Sequence, residues 1–244
     1  MSLIDVESVP RRTMTLFFLA DTSGSMSGNK IGALNDAITN IIPMISEISN
    51  SNPDAEIKVA ALQFSSGTSW LYDEPKSAGD FIWQDQSAGG LTSLGEACIQ
   101  LEKVLHRDGF MKSASGSYAP VVILLSDGGA TDDYDKGIEK LKLNNWFKAA
   151  IKIAIAIGDD CDKDELKKFT GNLEAVIEVH NIEALKQIIR IVAVTSSQIG
   201  SKSTSATDAT KQDQVVEEIK NQIDNVDGAN TAADPGQATD DYWD

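Results

Sequence analysis

Two short runs in the chain combine carboxylates with hydroxyls at spacings that suit a hard cation: DTSGSMSG, from Asp21 to Gly28, and SDGGATD, from Ser126 to Asp132. A third run, GGLTSLG at 89–95, adds Thr92 and Ser93. Mg²⁺ and similar ions take oxygen ligands in near-octahedral geometry and commonly keep waters, so two carboxylates and several hydroxyls make a suitable partial shell. In D-x-S-x-S, Asp21, Ser23 and Ser25 alternate, and one tight loop can aim three oxygens at a single point; Gly24 and Gly28 permit the turn. Hydroxyl ligands are neutral and leave the ion's charge less quenched than an all-carboxylate cage would. A coordination position left to water can then accept an acidic side chain from another protein. Each run has a plainer reading. DTSGS alone is turn and helix-capping material, Asp127 can simply shape a turn, and Thr92 with Ser93 can cap the helix behind them.

What favours the metal is where the runs fall among the elements. Short apolar stretches at 14–20 (MTLFFLA), 59–64 (VAALQF), 121–126 (VVILLS) and 151–157 (IKIAIAI) have the pattern of strands covered on both faces, with a further strand at 175–179. Helical stripes lie between them at 30–50, 94–105, 133–147, 162–170 and 181–198, and SWLYDEP with FIW at 69–83 reads as a hairpin. Such alternation predicts an α/β fold: a doubly wound, mostly parallel sheet with helices on both faces and right-handed crossovers. Ligands in such sheets sit beyond the carboxyl ends of the strands, where the strand order reverses. Asp21 and Asp127 each follow a strand, and the 89–95 loop leads into a helix. If the two strands flank the reversal, Asp21, Ser23, Ser25, Thr92 and Asp127 meet over one crevice.

Catalytic signatures are missing. There is no G-x-x-x-x-G-K-[ST] phosphate loop and no G-x-S-x-G elbow, since the centre of Gly24–Gly28 is Met26. An aspartyl-phosphate enzyme would want a second carboxylate two residues after Asp21, where Ser23 stands. His106 and His180, the two histidines, lie outside the candidate loops, leaving no obvious general base. Composition narrows the partners further. A net charge of −16 argues against nucleic acid or an anionic membrane as the main target. Cys98 and Cys161 are too few for a disulfide framework, and MSLIDVESVPRR lacks the basic start of an export signal, so a cytoplasmic location is expected.

Composition shifts near residue 200. Residues 201–244 carry a net charge of −7 and few apolar side chains, which predicts a disordered acidic tail after a domain at 12–200 and an N-terminal extension at 1–11. Within the tail, Val216, Ile219, Ile223 and Val226 recur at helical spacing, a segment able to fold against a partner or its own domain.

DTSGSM, GGLTSLG and LLSDGGATD resemble the three segments of the metal-ion-dependent adhesion site of von Willebrand factor A domains, over about residues 12–198. SYAPVVILLSDGGATDDY, from Ser117 to Tyr134, is similar to TerY-like tellurium-resistance proteins, intracellular bacterial members of that family. The resemblance implies a metal-dependent protein-binding module rather than an enzyme. It implies Mg, with Mn or Ca as substitutes, held by Asp21, Ser23, Ser25, Thr92 and Asp127, some of them through water. It also implies protein partners such as a protein kinase or a metal-dependent phosphatase. The zinc-binding extension of some TerY-like proteins has no counterpart here. Two alternatives stay open: a scaffold with a purely structural metal that binds through its tail, and a Mg-dependent phosphoryl-transfer enzyme.

Overall fold

The computed structural model describes residues 10–158, 161–201 and 210–230. Continuous apolar runs become central strands. β1 (Arg12–Asp21) is buried along all but its first residue, and β5 (Val121–Ser126) along its whole length. With β2 (Ala55–Phe64), β3 (Thr68–Trp70), β4 (Lys76–Ser77), β6 (Ile151–Ile157) and β7 (Val176–Val179) they form a seven-stranded sheet of order β3-β2-β1-β5-β6-β7, in which β4 also pairs with β2. Pairings from β2 across to β7 are parallel, and β3 and β4 run antiparallel to β2. The order therefore reverses between β1 and β5.

Alternation along β1 splits the core into two layers. Met14, Leu16, Phe18 and Ala20 face α1 (Asn29–Ser51), α6 (Ile182–Gly200) and α7 (Lys211–Asn230). Phe17 and Leu19 face α2 (Leu94–Val104), α3 (Tyr134–Leu143), α4 (Asn145–Ala149) and α5 (Lys163–Thr170). This is the doubly wound arrangement expected of the sequence.

Three segments differ from their sequence reading. The expected hairpin at 69–83 does not form, because β3 and β4 each pair with β2 instead of with each other. Residues 81–83 imitate a strand, with Phe81 and Trp83 buried and Ile82 exposed. That stretch is held by Asn35 of α1, whose Oδ1 accepts from Trp83 Nε1 at 3.0 Å and from Gln86 N at 2.9 Å. The single helix expected at 133–147 is two, divided where Asn144 caps α4 by accepting from Trp146 N and Phe147 N.

The third difference lies in the acidic tail, where 202–209 and 231–244 fall outside the described residues. Between them α7 packs on its own domain, with Val215, Val216 and Ile219 buried. β7 pairs only with Ala154–Ile157 of β6, and before that stretch the Gln212 amide takes the place of a strand beside Lys152. Its Oε1 accepts from Lys152 N at 2.7 Å and its Nε2 donates to Lys152 O at 3.0 Å.

Candidate metal centre

Asp21 ends β1 one residue past Ala20, which pairs with Leu125 of β5, so its carboxylate stands beside Ser126 at the carboxyl edge of the sheet. Ser126 Oγ donates to Asp21 Oδ2 at 2.6 Å, and Ser23 N donates to Oδ1 at 2.8 Å. The chain then turns through a short 3-10 segment, Gly24–Met26, pinned to the core by the fully buried Met26. That turn brings Ser23 Oγ and Ser25 Oγ within 3.0 Å of each other.

The 89–95 loop is stitched to this turn by the backbone. Gly24 N donates to Gly90 O at 3.1 Å and Gly89 N to Thr22 O at 2.8 Å. Gly90 has φ +83°, and a Cβ there would stand 2.4 Å from Ser66 Oγ, so only glycine fits the close approach. Thr92 follows, almost fully buried, and is clasped by Thr131. Its N donates to Thr131 Oγ1 at 2.9 Å, and Thr131 Oγ1 donates to its carbonyl at 3.2 Å. Asp132 then caps α2, accepting from Gly95 N and Glu96 N.

These loops enclose a cleft of about 520 Å³ lined by Ser23, Ser25, Thr92 and Asp127, with Lys30 and Gly158 on the far wall. Asp21 lies beneath it at 0% exposure, and Ser25 is exposed at its mouth. All five residues singled out in the sequence therefore meet at the reversal of the sheet.

Burial, followed at shorter measure by the charge of Asp127, pushes the Asp21 carboxyl above its ordinary value, against the pull of its hydrogen bonds from Ser126 and Ser23. Asp127 has a cation close by: Lys30 Nζ lies 3.6 Å from its Oδ2. Among the described residues, no group of three or more His, Cys, Asp or Glu side chains is placed to hold a metal. The cleft offers two carboxylates and three hydroxyls, an all-oxygen set that suits Mg²⁺, Mn²⁺ or Ca²⁺ better than a soft ion.

Ser126, Thr131 and Lys30 took no part in the sequence reading. Ser126 and Thr131 sit inside the quoted SDGGATD run, but their roles come from partners 105 and 39 residues away. Lys30 carried no motif signal.

A doubly wound sheet with an oxygen-rich cleft at its switch point defines a class of ligand-binding α/β domain. Within that class, the von Willebrand factor type A domain model matches residues 15–191, and the chain belongs to this family of protein-interaction modules. No curated protein matches by sequence. Among solved structures, the chain is similar to the von Willebrand factor type A protein from Catenulispora acidiphila, at 18% identity and TM-score 0.55, over 77% of this chain and 43% of that one. It is similar to the ArnB paralog VWA2 from Sulfolobus acidocaldarius at 19% identity and TM-score 0.54, over 74% and 45% of the two chains. Proximal thread matrix protein 1 from the mussel byssus, in a form with a zinc-occupied MIDAS motif, matches at 17% identity and TM-score 0.55, over 77% and 48%. At these identities the likeness establishes the fold, and the chain spans less than half the length of each of the three. No described helix is long and apolar enough to cross a membrane.

Proposed function

We propose that the cleft holds a divalent cation through Asp21, Ser23, Ser25, Thr92 and Asp127, and that the cation binds an acidic group of a protein partner. The observation that carries this reading is Asp21: a carboxylate at 0% exposure, close enough to a second carboxylate to feel its charge. Among the described residues it has no ion-pair partner. A buried charge of this kind is costly unless a cation offsets it. The hydroxyl pair supports the same reading. Ser23 Oγ and Ser25 Oγ are hydrogen-bonded to each other at 3.0 Å, so the loop already gathers two neutral oxygen donors of the kind a hard cation takes.

Mg²⁺ is the first choice of ion, with Mn²⁺ or Ca²⁺ as substitutes. Motif likeness to TerY-like proteins suggests a cytoplasmic partner such as a protein kinase or a metal-dependent phosphatase, in a tellurium-resistance or stress system. The chain acts by binding rather than catalysis, since the position for a second phosphoryl-transfer carboxylate is Ser23, buried and engaged with Ser25. Binding through the apolar face of α7 would first require Val215, Val216 and Ile219, buried against the domain, to come free.

Calorimetric titration with Mg²⁺ and Mn²⁺ tests the site. Saturable binding that disappears in Asp21→Ala supports it, and binding that survives in that variant rejects these ligands. Affinity purification from cells with and without chelator tests the use of the metal. Partners lost both on chelation and in a folded Asp21→Ala variant support the bridge. Partners that persist under both conditions reject it.

A further inference from the structure

Lys30 stands in the first turn of α1, directly after the loop that carries Ser23 and Ser25. Its Nζ lies 3.6 Å from Asp127 Oδ2, with 19% of the lysine side chain and 13% of the aspartate side chain exposed. The ion pair is thus largely withdrawn from solvent and forms part of the cleft wall. Space for the ammonium comes from Gly158, just past β6. Its φ is +98°, and a Cβ there would stand 2.9 Å from Lys30 Nζ and 3.3 Å from Cε. Gly158 N is tied to Val179 O at 2.8 Å, which limits how far that backbone can move away. A side chain at 158 would crowd the ammonium and oblige it to shift, besides straining the backbone at this φ.

We propose that Lys30 is a resident counter-ion of the cation site: its ammonium neutralises Asp127 in the metal-free chain and competes with the divalent cation for that carboxylate, lowering the affinity of the site. This inference rests on the reading of the cleft as a cation site. Without metal, Asp21 and Asp127 repel each other across a poorly solvated space, and one positive charge beside Asp127 relieves part of that repulsion. When a divalent ion enters, a single and a double positive charge share the same partly buried cleft. Their repulsion opposes uptake. Lys30 therefore stabilises the empty site and weakens the filled one.

Lys30→Met keeps the length of the stem and removes the charge, Lys30→Gln keeps a neutral donor for Asp127, and Lys30→Arg keeps the charge. In Mg²⁺ and Mn²⁺ titrations of the full chain, Lys30→Met and Lys30→Gln are expected to bind about tenfold more tightly than wild type, with Lys30→Arg close to wild type. In chelator, Lys30→Met is expected to melt below wild type, and at saturating Mg²⁺ that gap should close. A lysine that served only to pack the helix would leave the deficit in place under both conditions. Equal or weaker cation binding by both neutral variants, or a melting deficit that persists at saturating Mg²⁺, overturns the inference. A wild-type chain that takes up no divalent cation removes the site reading and this inference together. Wild-type binding with unchanged affinity in the neutral variants removes only this inference.

Discussion

Asp21 owes its position to two donors, and one of them belongs to a different strand. Ser126 Oγ donates to Asp21 Oδ2 at 2.6 Å and accepts from Gly128 N at 2.9 Å, so one hydroxyl orients the carboxylate and the turn that carries Asp127. Ser126→Ala is expected to cost about 1–2 kcal/mol in urea denaturation, as a buried acceptor loses its donor. Loss of such an outer support typically weakens metal affinity by about 10–100-fold, so the variant should bind Mg²⁺ within that range below wild type by calorimetry. Unchanged affinity would mean that Asp21 is held without Ser126. The two thiols make a second case. Cys98 is fully buried and burial pushes its thiol well up, while Cys161 is half-buried and raised less. A thiol reagent at neutral pH should label the folded chain once and slowly, and twice in denaturant. Rapid double labelling of folded protein would place Cys98 outside the core. At this scale the candidate ligands were legible, because Asp21, Ser23, Ser25 and Asp127 lie in compact runs after apolar strands. Ser126, Thr131 and Lys30 were not, because their roles depend on which distant loops the sheet brings together.

At the scale of elements, the doubly wound class was readable because apolar runs alternate with striped helices, whereas the strand order that sets β1 beside β5 depends on pairings between distant segments. The hairpin was misread because buried Phe81 and Trp83 flank exposed Ile82 with the period of a strand, although Asn35 supplies the partners for that segment. α7 was half legible. The charge of the tail suggests disorder, while Val216 and Ile219 at helical spacing already mark the face that, with Val215, docks on the domain. Ending the chain after Ser201 exposes that face and uncovers the β6 edge at Lys152. Each buried Val or Ile contributes about 1.5–3 kcal/mol before the ordering of the helix is counted, so a net loss of about 3 kcal/mol is expected in urea denaturation. An uncovered strand edge invites pairing with another chain, and size exclusion should show self-association. A truncated chain as stable and monodisperse as the full one would make α7 a passive appendage. A second test concerns α2 and α3, which touch backbone to backbone: a Cβ on Gly137 would stand 2.2 Å from Gly95 O. Gly137→Ala must push the helices apart, at a cost of about 3 kcal/mol. It should also weaken cation binding, because Asp132 ties the start of α2 to the loop before α3 beside Thr92. Lost stability with intact binding would show that the Thr92 loop keeps its place without this helix contact.

For the whole molecule, a net charge of −16 gives added salt two separable routes to stability. Any salt screens self-repulsion within a Debye length of about 8–10 Å near physiological ionic strength. NaCl should therefore raise the melting temperature of wild type and Asp21→Ala alike. A divalent ion bound in the cleft adds a term that depends on occupancy, about 2.7 kcal/mol at a concentration 100 times Kd. For a chain of this size each kcal/mol moves the midpoint by about 2–4 °C, so near-saturating Mg²⁺ should raise it by about 5–10 °C beyond NaCl of equal ionic strength. Asp21→Ala should keep the NaCl response and lose this excess, because the buried carboxylate beneath the cleft is gone while the surface charge hardly changes. An excess of the same size in Asp21→Ala would place the bound ion elsewhere on the acidic surface. No excess in either chain would leave the cleft without a cation and would reject the metal bridge to an acidic partner.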